Sequence, residues 1–177
     1  MRKCVARLSR ASTGRWSVGS VTAVHRSVDQ AGDELASVAP GLAVCFDVAG
    51  ETPFSCMVAF RPEDAETVSR GYLGFSYTAV SSAKELLFSE IGNIMVNAFL
   101  SSLSDALKRQ YLPSVPRCVA GEPAFLLEAL WAGCGCRKHG VVMITLDLRC
   151  DGKTTRSVVA AVIPDKLEEV LTEAGRP

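Results

Sequence analysis

The residue types best suited to binding or catalysis lie three positions apart in the middle of a long helical pattern. Glu90 and Asn93 fall within residues 82–109, which contain no proline and a single glycine. Residues three apart share one surface of an α-helix, so a carboxylate and a carboxamide would project together. The carboxylate accepts hydrogen bonds, and the carboxamide both donates and accepts them. A solvated helix face without function is the alternative, although asparagine is a mediocre helix former, which slightly favours a functional role.

The helix that carries this pair is expected to be long and half-buried. Ser82 and Glu85 form a capping-box pattern at its start, and its length would be roughly 42 Å. Gly92 falls on the buried side, where it would let another backbone approach closely. The periodicity predicts a buried face of Leu87, Ile91, Ile94, Met95, Ala98 and Phe99, and an opposite stripe of Leu86, Glu90, Asn93, Asn97, Ser101 and Ser104.

An internal repeat predicts how the rest of the chain is organised. Residues 41–48 align with residues 141–148, which places Asp47 opposite Asp147. Each segment continues through a glycine-containing turn into a second apolar run, a proline followed by acids, a short helical pattern and a glycine. These are hairpin, helix-start and helix-stop signals in matched order, which favours duplication over chance. The apolar runs are 54–60 and 157–163, the helical patterns are 65–73 and 167–174, and the glycines are Gly74 and Gly175.

The repeat predicts one domain, 1–177, made of two pseudo-symmetric halves of about 1–75 and 76–177. Each half is expected to give about three strands to a shared, mainly antiparallel sheet of about six strands. Helices pack on this sheet, so the predicted class is an α+β fold in two layers. In the first half, residues 5–12 correspond to the last turns of a long helix and residues 16–24 to a strand. The rest of that helix would lie before Met1.

Composition and charge argue against several classes of protein. Hydrophobic residues make up 48% of the 177 residues, and 19 basic residues balance 19 acidic ones. The chain can therefore form a core, and no overall field attracts it to nucleic acid or to an anionic membrane. No uninterrupted apolar run approaches the roughly 20 residues of a membrane-spanning helix.

Seven cysteines without a secretion signal favour a reducing cytoplasm. The arginine-rich start resembles a transit peptide, but its strand-like alternation indicates a folded segment.

Cys134, Cys136 and His139 are the only close group of metal-ligand residue types. Structural zinc normally needs four ligands, often from two cysteine pairs. No second pair stands at a comparable distance, so no metal site is predicted. The sequence also has no Gly-x-Ser-x-Gly elbow and no phosphate-binding glycine loop, which argues against a hydrolytic triad and nucleotide chemistry.

The surroundings of Glu90 and Asn93 resemble the signature of the CheC/CheX/FliY phosphatases of chemotaxis. That signature is a Glu, two residues, an Asn, 22 further residues and a Pro, and Pro116 stands at the matching distance from Asn93. The resemblance extends from about residue 7 to residue 175. Leu86 departs from it, because the family usually has Asp or Ser four residues before the Glu. CheC-type members carry two Glu–Asn pairs, whereas this chain resembles a member with one surviving site.

The resemblance implies a hydrolase that removes the phosphoryl group from the aspartyl phosphate of a CheY-like receiver domain. Asn93 would orient the attacking water, and Glu90 would pair with a receiver lysine near the phosphate. Pro116 would be structural, as Gly92 is from its buried position. The resemblance does not assign Leu86 or Asn97, which as neighbours on the same stripe would widen the docking surface. The Mg²⁺ that such reactions use would sit on the receiver, so this chain would need no cofactor or metal of its own. The cysteine content and the balanced charge add the expectation of a cytoplasmic protein without nucleic-acid or membrane partners.

Two alternatives stay open from the sequence. Leu86 and the shortened first helix favour a CheC-like adaptor that binds a receiver or another signalling protein without hydrolysis. A third interpretation is a structural module that forms a homodimer through apolar surface left uncovered on the amino-terminal side.

Overall fold

The computed structural model describes residues 2–75, 81–134 and 139–174. These residues form six α-helices, seven β-strands and one short 3₁₀ turn at Pro62–Asp64. In chain order the elements are α1 (Arg2–Ala11), β1 (Trp16–Ser27), α2 (Val28–Ala36), β2 (Gly41–Gly50), β3 (Phe54–Phe60), α3 (Ala65–Leu73), α4 (Ser81–Leu107), β4 (Tyr111–Pro113), β5 (Arg117–Gly121), α5 (Pro123–Gly133), β6 (His139–Cys150), β7 (Lys153–Pro164) and α6 (Asp165–Ala174).

All seven strands belong to one sheet, in which every described pairing is antiparallel. The order is β1-β6-β7-β3-β2, and β4 and β5 both pair with the outer edge of β2. The predicted α+β class and antiparallel sheet are confirmed. The strand beyond the expected six is β4, a three-residue strand that pairs with the end of β2, whereas β5 pairs with its beginning.

The order of the elements repeats along the chain. A strand, a helix, a hairpin and a helix occur first as β1-α2-β2-β3-α3 and again as β5-α5-β6-β7-α6. The first strand of each series pairs with the hairpin of the other series, β1 with β6 and β5 with β2. Each series therefore completes the sheet of the other, and β3 and β7 meet at its centre.

Glycine and aspartate fix two of the turns between these elements. Asp151 and Gly152 join β6 to β7 with φ of 47° and 83°, as in the Asp-Gly turns whose twist matches that of a hairpin. Gly74 ends α3 in the left-handed conformation, and its N–H donates to the carbonyl of Arg70 at 2.9 Å. The corresponding stop predicted at Gly175 lies outside the described residues.

Helices cover both faces of the sheet rather than the single face of a two-layer fold. Alternate residues of β2 separate the two cores, since Val44 and Phe46 pack with α4 whereas Ala43 and Cys45 pack with α2 and α5. The sequence analysis did not predict α2 or α5. Both lie between the first strand and the hairpin of a series, so they are matched parts of the repeat.

Helix α4 lies across one face of the sheet and begins and ends within two residues of its predicted bounds. The whole predicted apolar face is buried, while the side chain of Ser82 lies outside the described part. Gly92 is buried over β2, but its neighbour is a side chain rather than another backbone. A Cβ at this position would lie 2.9 Å from Cβ of Val44. Residues 83–107 are also long and apolar enough to span a membrane, but 61% of an 18-residue apolar stretch of this helix is buried in the protein, as in a core helix.

Candidate functional site

The polar stripe of α4 lies on the side that the sheet does not cover. Glu90 is exposed, and Asn93 and Asn97 are half-buried. Leu86, one turn before Glu90, is 74% exposed, whereas most other large apolar side chains of α4 are buried. Residues three or four apart on a helix have Cβ atoms about 5–6 Å apart. Glu90 and Asn93 therefore offer a carboxylate and a carboxamide to the same approaching molecule.

Asn93 and Asn97 are joined by hydrogen bonds. Nδ2 of Asn97 donates to the backbone carbonyl of Asn93 at 2.8 Å and to its side-chain Oδ1 at 2.7 Å. Because Nδ2 of Asn97 is a donor, the second bond turns Oδ1 of Asn93, rather than its Nδ2, towards Asn97. The sequence analysis placed these residues on one stripe but did not predict a bond between their side chains.

Tyr72 of α3 borders the site beside Glu90. Burial raises the pKa of the Tyr72 phenol, and the negative charge of Glu90 raises it further, because a nearby carboxylate disfavours the phenolate. Helix α3 ends at Gly74, and the next residue, Phe75, is 62% exposed. The sequence analysis predicted α3 but not its place beside α4, since neither helical pattern specifies how the two helices pack.

Pro116 lies in the connection between β4 and β5, and Asp47 of β2 holds both ends of that connection. Before Pro116, Ser114 donates its N–H to the carbonyl of Asp47 at 2.7 Å, and its Oγ accepts the N–H of Asp47 at 3.0 Å. After Pro116, Arg117 forms an ion pair with the Asp47 carboxylate at 3.1 Å. Val115 projects from this connection and is 82% exposed.

Strand β5 then brings the chain against α4. Burial raises the pKa of the Cys118 thiol, the charge of Glu85 adds to this effect, and a hydrogen bond with Ser89 opposes it. Ser89 directly precedes Glu90. The strand that follows Pro116 therefore contacts α4 next to the candidate pair, and α3 contacts α4 as well.

Solved structures share this arrangement of strands and helices. CheX of Desulfovibrio desulfuricans matches with a TM-score of 0.57 at 13% identity, over 92% of this chain and 95% of that one. FliY of Thermotoga maritima matches with a TM-score of 0.60 at 14% identity, over 97% and 89%. The chain has the fold of the CheC, CheX and FliY proteins. The predicted resemblance is thus confirmed at the level of the fold.

The same fold also occurs in the middle domain of FliM from Vibrio alginolyticus, with a TM-score of 0.61 at 10% identity over 98% and 93% of the two chains. No family model and no curated protein matches the chain by sequence. Identities this low establish the fold and leave the roles of Glu90, Asn93 and Pro116 as predictions.

Within this CheC-like fold, the first half offers no second Glu–Asn pair. Helix α1 precedes β1 as α4 precedes the strands of the second half, and it contains neither residue type. It packs against the carboxyl-terminal part of α4, where Lys3 pairs with Asp105 at 2.7 Å. The described residues thus present one candidate pair, on α4.

The described part of this CheC-like chain contains no group of three or more His, Cys, Asp or Glu side chains that could hold a metal ion. Cys134 donates through Sγ to the carbonyl of Leu130 at 3.2 Å, while Cys136 lies outside the described residues. The six described cysteines are free thiols.

Proposed function

We propose that this chain is a phosphatase that hydrolyses the aspartyl phosphate of a CheY-like receiver in the cytoplasm. The exposed side of α4 docks against the phosphorylated site of the receiver. Asn93 orients the attacking water, and Glu90 pairs with the receiver lysine near the phosphate. The Mg²⁺ ion belongs to the receiver, and this chain contributes no cofactor.

The chemistry suits a carboxamide. An acyl phosphate is already activated, so catalysis consists mainly of placing a water in line and stabilising charge. Oδ1 of Asn93 can accept a hydrogen bond from the water while Nδ2 donates to a phosphoryl oxygen. Neither interaction requires a change in the protonation of Asn93.

The observation that carries this proposal is the exposure of Glu90 beside Asn93 on one face of α4 in a chain with the CheC-like fold. A pair that was turned into the core could not reach another protein. The connection at Pro116 supports the proposal, because Asp47 holds it in place and the strand that follows it contacts α4.

The experiment measures loss of phosphate from receivers of the source organism after they are phosphorylated with a small-molecule phosphodonor. The parent chain is expected to accelerate this loss. Asn93→Ala should reduce the acceleration by roughly 10²-fold, the usual cost of removing one group that stabilises transition-state charge. Ser104→Ala, three turns further along the same stripe, is the matched control and should behave like the parent. Equal decay with parent, Asn93→Ala and no added protein would refute the enzymatic proposal.

The exposed side chain of Leu86 favours a second candidate, a CheC-like adaptor that binds a receiver without hydrolysing its phosphate. Leu86 stands where the family usually has Asp or Ser and is 74% exposed, so it adds apolar contact area in place of a polar group. Binding of a receiver that carries a beryllofluoride phosphoryl mimic, without faster loss of phosphate, would favour this candidate. A homodimer also stays a prediction, and sedimentation of the purified chain tests it.

A further inference from the structure

We propose that Asn97 is a positioning residue that fixes the orientation of the Asn93 carboxamide. This inference rests on the proposed function, since it concerns the group that would orient the water. It adds a role for Asn97 that differs from contact with the partner. The role is carried by the two hydrogen bonds from Nδ2 of Asn97 and by the half-buried position of both side chains.

The two bonds together determine how both carboxamides are turned. The atom of Asn97 that lies 2.8 Å from the backbone carbonyl of Asn93 must be a donor, because a carbonyl oxygen only accepts. That atom is therefore the amide nitrogen. The same nitrogen lies 2.7 Å from the Asn93 side chain, so the Asn93 atom facing it must be the acceptor Oδ1. The backbone of the helix thus sets the orientation of Asn97, and Asn97 sets that of Asn93.

In this orientation, both polar atoms of the Asn93 carboxamide can still form hydrogen bonds with water and phosphate. A carbonyl oxygen has two lone pairs, so Oδ1 can accept from a water as well as from Asn97. Among the described residues none accepts a hydrogen bond from Nδ2 of Asn93, which stays available to a phosphoryl oxygen. A hydrogen bond donated to Oδ1 also polarises the amide and strengthens Nδ2 as a donor.

The first experiment combines turnover, binding and stability in three variants of the full chain. Asn97→Ala removes the donor and should lower kcat about tenfold, which corresponds to about 1.4 kcal/mol. Its KM, and its affinity for the receiver with beryllofluoride, should stay at the parent values because Asn97 acts through Asn93. Asn97→Asp presents only acceptors and would draw Nδ2 of Asn93 towards itself, so its kcat should fall further. Asn97→Gln keeps a donor and should recover part of the loss.

Other patterns of results would overturn this inference. If Asn97→Ala raised KM and weakened binding in proportion while kcat stayed unchanged, Asn97 would be a docking residue. If Asn97→Ala lowered Tm and kcat together and Asn97→Gln recovered neither, the role would be structural. Alanine is the best helix former, so the positioning role predicts that Asn97→Ala keeps or raises the Tm.

A second experiment tests the positioning role without using turnover. The side-chain NH₂ group of Asn93 gives its own nitrogen–proton resonance, whose order parameter reports motion on the ps–ns timescale. This order parameter should be high in the parent and in Ser104→Ala, and it should fall in Asn97→Ala. Equal mobility in the parent and Asn97→Ala would overturn the inference. If the NMR result holds while the parent accelerates no dephosphorylation, the proposed function fails and the positioning of Asn93 stands.

Discussion

The packing of α4 on β2 makes Gly92→Ala a direct test of the geometry that supports the site. A Cβ at Gly92 would lie 2.9 Å from Cβ of Val44 and 3.2 Å from both of its methyl carbons. Cβ of Val44 is attached to the backbone of β2, which is held between β3 and β5 at this position, and it cannot move aside as the end of a long side chain could. The helix must therefore shift away from the sheet, and overpacking of this kind typically costs about 1–3 kcal/mol.

Gly32→Ala is the matched control, because it makes the same chemical change in α2. A Cβ at Gly32 would meet no atom within 4 Å, so this variant gains helix propensity without a clash. Replacing glycine by alanine inside a helix is worth about 0.8–1.0 kcal/mol. Gly32→Ala should become more stable by that amount. Gly92→Ala has the same gain in helix propensity, but overpacking costs it about 1–3 kcal/mol. The unfolding free energy of Gly92→Ala should therefore be about 1–3 kcal/mol lower than that of Gly32→Ala.

Urea unfolding at pH 7 measures both free energies. Val44→Ala combined with Gly92→Ala gives a further check, because it removes two of the three close atoms. The two changes should show a favourable coupling of about 0.5–1 kcal/mol, as expected for residues in contact. If Gly92→Ala stabilised the chain as much as Gly32→Ala does, the close approach of α4 to β2 would be refuted. Gly92 lies between Glu90 and Asn93, so the shift should also lower any phosphatase activity.

Three further predictions use other parts of the molecule. Asp147 receives hydrogen bonds from Arg156 at 2.7 Å and 3.0 Å and from Ser20, and these lower its pKa from 3.8 to about 2. Because the pKa is lowered by folding, the ionised carboxylate stabilises the fold above about pH 4. In urea unfolding, the free energy of unfolding of the parent should exceed that of Asp147→Asn at pH 4, and this difference should shrink as the pH falls towards 2. Burial raises the pKa of the Cys4 and Cys150 thiols to about 11, so mass spectrometry after alkylation at pH 8 should find them unmodified until urea unfolds the chain. Leu86→Ser changes an exposed side chain and should alter the unfolding free energy by less than about 0.5 kcal/mol, while weakening binding of the receiver with beryllofluoride if Leu86 contributes to docking.

The sequence predicted those parts of the fold whose signals are local. The run 54–60 and the helix at 65–73 match β3 and α3 to the residue, because an apolar run, a proline–acid start and a glycine stop lie in neighbouring positions. The alignment of the two repeats also predicted which residues take corresponding places in the fold. Asp47 and Asp147 occupy corresponding hairpin strands, and each accepts a hydrogen bond from a serine on an adjacent strand.

Some missed features had local signals that the sequence analysis did not use, and others depend on packing that no local pattern specifies. Ser27 and Gln30 form a capping box at the start of α2, and Pro123 stands at the start of α5, so both helices could have been predicted from neighbouring residues. The contact between α3 and α4 that brings Tyr72 near Glu90 depends on tertiary packing and is not specified by either helix alone. The Asn97–Asn93 bond depends on side-chain rotamers, which periodicity does not specify.

The energetics of α4 offer a last test of whether its polar stripe serves function or stability. Asparagine costs up to about 0.7 kcal/mol relative to alanine at a helix interior position, and a side-chain pair four residues apart returns only about 0.2–0.5 kcal/mol. Asn93 and Asn97 are therefore expected to lower the stability of the helix together. Asn93→Ala and Asn97→Ala should each leave the unfolding free energy unchanged or raise it by a few tenths of a kcal/mol. Losses above about 1 kcal/mol in both variants would show that the pair stabilises the helix, and its presence on an exposed face would then need no partner to explain it.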